Sequence, residues 1–168
     1  DPEGKLHRLN DAAESPVVLI AFICNHCPFV KHLANEFAAL STEYAPRGVA
    51  TFAIMPNDVD AYPDDAPIHM AEEARMRTYE FPYLHDSDQS IAKAYQATCT
   101  PDFFVYGPER TLVYRGQFDD SRPDSGTADG KDLRDALDDA LAGRPVRATQ
   151  KPSLGCNIKW KPENDPNS

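Results

Sequence analysis

A single apolar run constrains the fold of this chain more than any other feature of its 168 residues. Residues 16–23 form a continuous apolar stretch rich in β-branched side chains, which is typical of a strand covered by helices on both faces. Cys24 follows this run directly, and apolar residues then recur every three or four positions until Pro46 and Gly48. The sequence therefore predicts a central parallel strand that leads straight into an amphipathic helix.

Strands and helices are predicted to alternate beyond this unit. Residues 49–55 indicate a second strand, and Pro67 marks the start of a helix that runs towards Tyr79. A short segment at residues 81–84 precedes a further helix. This alternation is typical of an α/β domain with a mostly parallel sheet and helices on both faces.

The second half of the chain predicts a change in strand direction. Pro101 opens a strand at residues 103–106, and a turn then leads into residues 111–115, so that these two strands form an antiparallel hairpin. An apolar stripe at residues 133–141 predicts a final helix. No sustained period follows, and residues 146–168 are predicted to form an extended tail.

We expect one domain that spans residues 1–168, with its core at about 16–142. A formal net charge of -10 argues against nucleic acid or an anionic membrane as a partner. No apolar run approaches the roughly 20 residues of a membrane-spanning helix, so we expect no membrane span. Because the chain begins with Asp1 rather than Met, we expect a processed or trimmed product; a cytoplasmic location is slightly favoured, and a periplasmic one stays open.

The motif Cys24-Asn25-His26-Cys27 lies where the first strand becomes the first helix. A cysteine at a helix N-terminus faces unpaired N–H groups and the positive end of the helix dipole, both of which favour the thiolate. We therefore expect Cys24 to be the nucleophile of a thiol-disulfide exchange. Cys27, one helical turn further on, is the expected resolving thiol, which attacks a mixed disulfide at Cys24.

The two residues between the cysteines are predicted to tune this chemistry. Asn25 can cap the helix, and Pro28 suits its first turn because the N–H that proline lacks would have no partner there. His26 lies inside the dithiol loop, where an imidazolium stabilises a nearby thiolate and makes the pair more oxidising. The expected site is therefore two catalytic thiols with Asn25 and His26 as redox-tuning residues, and it needs no dissociable cofactor.

The same motif after an apolar strand, together with Thr100-Pro101 before a hairpin, resembles the two halves of a thioredoxin active site. This resemblance covers residues 16–141. It implies a cis peptide bond at Pro101. It also implies that Thr100 and Pro101 form a substrate-binding surface beside Cys24.

A narrower resemblance covers nearly the whole chain. The helix inserted between the second core strand and the cis-proline loop is similar to the redoxin branch of the thioredoxin class. Four motifs resemble a group of peroxiredoxin-like bacterial proteins: Cys-Asn-His-Cys-Pro at 24–28, Cys-Thr-Pro-Asp-Phe-Phe at 99–104, Asp-Asp-Ser-Arg-Pro at 119–123 and Pro-Ser-Leu-Gly-Cys-Asn-Ile-Lys-Trp at 152–160. This group belongs to the alkyl hydroperoxide reductase/thiol-specific antioxidant superfamily. The resemblance implies a thioredoxin-like fold with a mixed central sheet flanked by helices.

Two positions depart from these families. Peroxiredoxins carry Thr or Ser three residues before the peroxidatic cysteine, whereas this chain has Ala21 there. Thioredoxins often carry a buried carboxylate on the strand before the motif, but residues 17–23 contain none. The first departure weighs against a peroxidase. The second leaves proton transfer from Cys27 to another group, either His26 or water.

Cys99 and Cys156 are candidate additional thiols. Cys99 would lie near the dithiol, either as a resolving or regulatory thiol or as a buried packing residue. Cys156 lies in the tail, where a Cys99–Cys156 disulfide stays open. A structural zinc site made of all four cysteines is disfavoured because these two have no close-spaced mate. A copper site of the Sco type ranks below the redox enzyme because its cysteines are spaced more widely, and we expect no metal.

These residues lead to one expected function and two alternatives. We expect a thiol-disulfide oxidoreductase that acts in redox homeostasis or protein disulfide exchange. Its substrate would be a disulfide-containing protein or a small-molecule thiol, and its partner an upstream dithiol reductant or oxidant. The alternatives are a thiol-dependent antioxidant peroxidase and a copper- or zinc-binding redoxin. Rapid hydroperoxide consumption with sulfenic acid at Cys24 would identify the first, and retained metal the second.

Overall fold

In the computed structural model, which describes residues 1–168, strands and helices alternate as the sequence predicts. The strands are β1 (Val17–Phe22), β2 (Val49–Met55), β3 (Tyr83–His85), β4 (Cys99–Thr100), β5 (Asp102–Tyr106), β6 (Leu112–Gly116) and β7 (Cys156–Asn157). The helices are α1 (Pro28–Tyr44), α2 (Pro67–Arg77), α3 (Ser90–Tyr95) and α4 (Lys131–Ala142). Short 3₁₀ turns lie at Leu9–Ala12, Ala45–Arg47, Pro63–Asp65 and Pro162–Asn164. None of the helices combines the length and the apolar character that crossing a bilayer requires.

Five of the strands form one mixed sheet in the order β3-β2-β1-β5-β6. β1 pairs in parallel with β2, which pairs in parallel with β3. On its other side β1 pairs antiparallel with β5, and β5 forms the predicted hairpin with β6. β1 is therefore the central strand. All of its residues are buried, as its unbroken apolar sequence predicts.

The side chains of β1 alternate between two hydrophobic layers. Leu19 and Ala21 face a layer of 24 buried residues, to which α1 and α4 contribute most of the helical members. Val18 and Ile20 face a smaller layer of 10 buried residues, which α3 covers together with Ile158 from the tail. Helices thus flank both faces of the mixed central sheet.

The inserted helix that the sequence predicts is α2. It begins at Pro67, and β3 and α3 follow it before the chain reaches β4. After α1 and the next 3₁₀ turn, Gly48 adopts a left-handed φ of 105°. A Cβ at Gly48 would lie 2.7 Å from Pro16 Cγ, so only glycine lets the chain turn this closely against the start of β1.

The C-terminal tail is more regular than the sequence predicts. Cys156 and Asn157 form β7, which pairs antiparallel with β4 in a separate two-stranded sheet. Ile158 is 4 % exposed and belongs to the smaller hydrophobic layer. A two-residue strand has no detectable periodicity, so this pairing leaves no signal in the sequence. The tail is fastened across the strand that precedes Pro101.

Candidate active site

The first helix begins one turn later than the sequence predicts. α1 starts at Pro28, so its N-cap is Cys27 rather than Cys24 or Asn25. Proline suits the first helical position because its φ is already helical and its missing N–H would have had no partner. The predictions that Cys24 lies at the helix N-terminus and that Asn25 caps the helix are therefore wrong. Cys27 occupies the position where the helix dipole stabilises a negative charge.

Three thiols converge on the residue before Pro101. The peptide bond between Thr100 and Pro101 is cis, as the resemblance implies. Cys24 Sγ lies 3.4 Å from Thr100 Oγ1, and Cys27 Sγ donates a hydrogen bond of 3.3 Å to the Thr100 carbonyl oxygen. Cys156 Sγ, which comes from the tail, lies 2.9 Å from Cys27 Sγ. Cys24, Cys27 and Cys156 form a three-thiol cluster, and Cys27 contacts both other members.

Contacts within the three-thiol cluster set the acidity of its members. Contact with the Cys24 thiol lowers the pKa of Cys27 to about 4. The Cys156 thiol also lowers this pKa, whereas burial raises it. The Thr100 carbonyl oxygen favours the thiol form of Cys27 and opposes this shift. Contact with Cys27, then burial and the Asp65 carboxylate, raise the pKa of Cys24. Burial and contact with Cys27 raise the pKa of Cys156 to about 11. The cluster therefore favours one negative charge, centred on Cys27.

A buried carboxylate, Asp65, lies at the candidate site and was missed by the sequence analysis. Its side chain is 0 % exposed and comes from the 3₁₀ turn before α2. The carboxylate accepts hydrogen bonds from the Asn25 backbone N–H (2.8 Å), His26 Nδ1 (2.6 Å) and Asn57 Nδ2 (2.9 Å). A carboxylate oxygen also lies within 4.8 Å of Cys24 Sγ. In the sequence, its place shortly before a proline indicates only the start of a helix.

His26 and Asn25 act on the turn that carries Asp65. His26 Nδ1 donates its hydrogen bond to Asp65 and not to a thiol, and its ring stacks on Tyr62 with the centroids 5.9 Å apart. Asn25 Oδ1 accepts a hydrogen bond from the Tyr83 hydroxyl, which ties the loop between the two cysteines to β3. In this arrangement His26 reaches the dithiol only through the Asp65 carboxylate.

Cys99 lies beside the cluster in sequence but on the opposite face of β4 in space. Successive side chains of a strand point to opposite faces, and Thr100 points towards the three-thiol cluster. Cys99 Sγ lies instead 3.5 Å from the Pro101 carbonyl oxygen. Burial, followed by the Asp102 charge, raises the pKa of Cys99 to about 12. Because β7 pairs Cys156 with Thr100, neither a Cys99–Cys156 disulfide nor a zinc site of all four cysteines fits this arrangement.

The predicted substrate surface at Thr100 and Pro101 is covered by the tail. Thr100 is 1 % exposed. Gly155 packs so closely that a Cβ on it would lie 2.0 Å from the Thr100 carbonyl oxygen and 3.0 Å from Pro101 Cδ. Direct access from solvent to this surface therefore requires the tail to move.

A group of potential metal ligands lies beside the dithiol. Cys24, His26 and Asp65 each offer one ligand atom, and these atoms lie within 4.8 Å of one another. Thiolate, imidazole and carboxylate ligands suit zinc or copper. Both Asp65 oxygens already accept hydrogen bonds, one from Asn25 and the other from His26 and Asn57. A metal ion would have to displace these donors.

Comparisons with known proteins give the family. Residues 1–115 match the model of the AhpC/TSA family. A hypothetical protein of Sinorhizobium meliloti 1021 is 48 % identical over 96 % of this chain and 89 % of its own, with a TM-score of 0.95. An uncharacterized conserved protein of Geobacillus kaustophilus is 50 % identical over 95 % of this chain and 85 % of its own, with a TM-score of 0.92. No curated protein matches the chain.

A structure with much lower sequence identity also shares the fold. A peroxidoxin of Mycobacterium tuberculosis is 18 % identical over 88 % of this chain and 91 % of its own, with a TM-score of 0.61. This similarity confirms the predicted thioredoxin-like α/β fold. The family match supports an oxidoreductase that acts through thiols. The chain is a thioredoxin-like redoxin and belongs to the AhpC/TSA family.

Proposed function

We propose that this protein is a thiol-disulfide oxidoreductase that uses the Cys24–Cys27 dithiol in redox homeostasis or protein disulfide exchange. The observation that carries the proposal is that both thiols meet at one residue. Cys24 Sγ contacts the Thr100 hydroxyl and Cys27 Sγ the Thr100 carbonyl, immediately before the cis Pro101. The proposed substrate is a disulfide-containing protein or a small-molecule thiol, and the proposed redox partner is an upstream dithiol reductant or oxidant.

Reduction of a substrate starts at Cys24 and is completed by Cys27. Cys24 passes its proton to Cys27 and attacks a substrate disulfide; a bond between Cys24 and the substrate forms, the substrate S–S bond breaks, and one thiolate leaves. Cys27 gives its proton to the departing thiolate and attacks Cys24 Sγ, which releases the second substrate sulfur. The substrate has gained two electrons, and the protein holds a Cys24–Cys27 disulfide.

The acidity of Cys27 favours the opposite direction, in which the protein oxidises a substrate dithiol. A disulfide reacts faster when the sulfur that leaves is a stable thiolate. Because contact with Cys24 lowers the pKa of Cys27 to about 4, Cys27 leaves readily when a substrate thiolate attacks Cys24. Stabilising the reduced, charged form also makes the reduction potential less negative. We therefore favour the oxidising direction.

Asp65 and His26 offer a second route, besides transfer to Cys27, for the proton that Cys24 releases. The Asp65 carboxylate lies within 4.8 Å of Cys24 Sγ and accepts a hydrogen bond from His26, whose side chain is 26 % exposed. A buried carboxylate bonded to a partly exposed imidazole can pass a proton between an interior thiol and water. From the sequence, His26 or water is expected to take the proton of Cys27; Asp65 would instead serve Cys24.

Turnover of a fluorescent peptide that carries one disulfide tests the proposal. Cys24→Ser and Cys27→Ser should each abolish turnover, because neither variant can form the Cys24–Cys27 disulfide. Cys99→Ser is the matched control, since Cys99 lies on the far face of β4, and it should retain the wild-type rate. Wild-type turnover in Cys24→Ser or Cys27→Ser would rule the proposal out.

A thiol-dependent peroxidase is the second candidate, and the Thr100 hydroxyl is the observation that favours it. Ala21 leaves no hydroxyl three residues before Cys24, but Thr100 Oγ1 lies 3.4 Å from Cys24 Sγ. In this reaction Cys24 becomes a sulfenic acid as the hydroperoxide O–O bond breaks, and Cys27 then forms the disulfide with loss of water. Rapid hydroperoxide consumption, with sulfenic acid trapped in Cys27→Ser, would favour this candidate. Stoichiometric copper or zinc in the purified protein would instead favour the metal-binding alternative.

A further inference from the structure

Cys156 takes no part in the exchange described so far, yet its sulfur touches the reacting pair. Its Sγ lies 2.9 Å from Cys27 Sγ, whereas a disulfide bond is about 2.05 Å long. Closing the gap therefore needs a movement of about 1 Å. The backbones already lie side by side, because Cys156 of β7 pairs with Thr100 of β4.

The tail is built into this position on both sides of Cys156. Before it, the Ser153 hydroxyl donates to Asp102 Oδ1 at 2.9 Å. After it, the Ile158 N–H donates to the Thr98 carbonyl at 3.2 Å, and the Lys159 N–H donates to Asn57 Oδ1 at 2.9 Å. Asn57 also bonds to the Asp65 carboxylate, so the tail is joined to the same buried network as the dithiol. These contacts hold the Cys156 sulfur against the dithiol.

Accessibility separates the three sulfurs. Cys24 is 2 % exposed and Cys27 is 0 % exposed, so a thiol from another molecule reaches a disulfide between them only when the covering tail moves aside. Cys156 is only partly buried. A disulfide that included Cys156 would therefore offer an attacking thiol a sulfur that it can reach.

We propose that Cys156 is a third redox-active thiol, which takes the disulfide from the buried pair and presents it at the protein surface. This inference rests on the proposed function. The Cys156 thiolate attacks Cys27 Sγ; the Cys27–Cys156 bond forms, the Cys24–Cys27 bond breaks, and Cys24 leaves as a thiolate that takes up the proton lost by Cys156. No external oxidant or reductant is consumed, because the disulfide only changes partners.

The relay also serves the oxidising direction, because the partner that restores the reduced protein is a dithiol that becomes oxidised. A thiolate of a dithiol partner attacks Cys156 Sγ, a mixed disulfide forms, and Cys27 leaves. The second thiol of the partner then attacks the partner sulfur that is bonded to Cys156, and Cys156 is released. The partner becomes a disulfide, and the protein regains two electrons. Contact with Cys24 lowers the pKa of Cys27 to about 4, so Cys27 is the most stable leaving thiolate of the cluster.

The Cys24→Ser variant isolates the second disulfide. It is equilibrated with glutathione buffers of increasing oxidised fraction, trapped by alkylation and analysed by peptide mass mapping. We expect Cys27 and Cys156 to become protected together and reversibly, and the Cys24→Ser/Cys99→Ser double variant to behave in the same way. A Cys156 that stays open to alkylation in every buffer would overturn the relay, as would a Cys27–Cys156 bond that no buffer reduces.

Rapid acid quenching of the wild-type protein separates failure of the relay from failure of the proposed function. After one equivalent of model disulfide, the Cys24–Cys27 bond should appear first and the Cys27–Cys156 bond second. If substrate is turned over while Cys156 stays open to alkylation at every time point, the relay is overturned and the proposed function stands. Absence of both turnover and any disulfide at Cys24 would overturn the two together.

Discussion

The two faces of β4 carry neighbouring residues, Thr100 and Cys99, and differ in almost everything except burial. Thr100 is 1 % exposed and faces the three-thiol cluster, in which contact with a second thiol lowers the pKa of Cys27 to about 4. Cys99 is 7 % exposed and lies near the Pro101 carbonyl and Asp102, and burial raises its pKa to about 12. Burial opposes the thiolate on both faces, but only the Thr100 face supplies S–H donors that outweigh it. Burial therefore sets the pKa of Cys99, whereas neighbouring thiols set that of Cys27.

The largest expected difference between the two faces is in acidity. A thiol is charged above its pKa, so the reduced protein should carry one thiolate, at Cys27, from about pH 5 upward, while Cys99 stays a thiol. A pH titration of the ultraviolet absorbance of thiolate measures this charge. Cys27→Ser should lose it and Cys99→Ser should keep it. A first thiolate that forms only near the ordinary cysteine pKa of about 8.5 would break the comparison.

Asp65→Asn removes the charge behind the Thr100 face. Three hydrogen bonds to a buried carboxylate weaken, and we expect the free energy of unfolding to fall by about 1.5–3 kcal/mol. Contact with Cys27 and burial raise the pKa of Cys24 most, and the Asp65 carboxylate raises it further. This pKa should therefore fall in Asp65→Asn. Denaturant unfolding and the pH dependence of Cys24 alkylation measure the two effects.

The matched control for this variant is Asp64→Asn, which changes the exposed carboxylate next to Asp65. It should alter the free energy of unfolding by no more than about 0.5 kcal/mol. Equal effects of the two variants would show that the buried hydrogen bonds of Asp65 contribute nothing specific.

Gly155→Ala tests whether the tail seals the Thr100 face. The new Cβ would lie 2.0 Å from the Thr100 carbonyl oxygen, so β7 must move away, at a cost of about 1–3 kcal/mol of stability. We expect faster alkylation of Cys156 and a weaker Cys27–Cys156 pairing. Gly107→Ala is the control, because its Cβ would meet only Val113 Cγ1, at 3.4 Å. An unchanged alkylation rate in Gly155→Ala would show that the close packing does not hold the tail.

Thr100→Val should have the smallest effect, since it removes one hydroxyl and keeps the shape. Contact with Cys27 raises the pKa of Cys24, and the Thr100 hydroxyl partly offsets this. Its loss should raise that pKa and slow exchange at neutral pH by about fivefold, the equivalent of about 1 kcal/mol. The exchange rate as a function of pH measures the change, with the exposed Thr111→Val as control. Equal rates in both variants would mean that the hydroxyl plays no part.

The fold was predictable because its signals are continuous apolar runs or periodic apolar stripes. The apolar run at residues 16–23 and the stripe at 133–141 predict elements that the structure contains as β1 and α4, and residues 49–55 coincide with β2. The start of α1 was less predictable, because two local preferences compete there. Asn25 suits the cap of a helix, which would start the helix within the motif, whereas Pro28 suits the first helical position. Because Pro28 fixes its own φ, α1 begins there.

The residues alone predict the site only where they are close in sequence, and the thioredoxin resemblance adds Thr100 and Pro101 beside Cys24. Cys24 and Cys27 come from one motif, but Asp65 reaches them from a 3₁₀ turn and Cys156 from a two-residue strand, and neither element has a period. The hydroxyl sought at Ala21 is a similar case, because Thr100 supplies one from another strand. Long-range placement of single polar side chains depends on packing that composition and spacing do not specify.

The pairing of Cys24 with Cys27 is the claim on which the function depends, and a redox-buffer titration of Cys156→Ala tests it without competition from the tail thiol. Aliquots are alkylated and analysed by peptide mass mapping at each potential. We expect Cys24 and Cys27 to lose their reactivity together, reversibly and at a single potential, while Cys99 is unchanged. Pairing of Cys24 with Cys99, or alkylation of Cys24 at every potential, would contradict the proposed dithiol site.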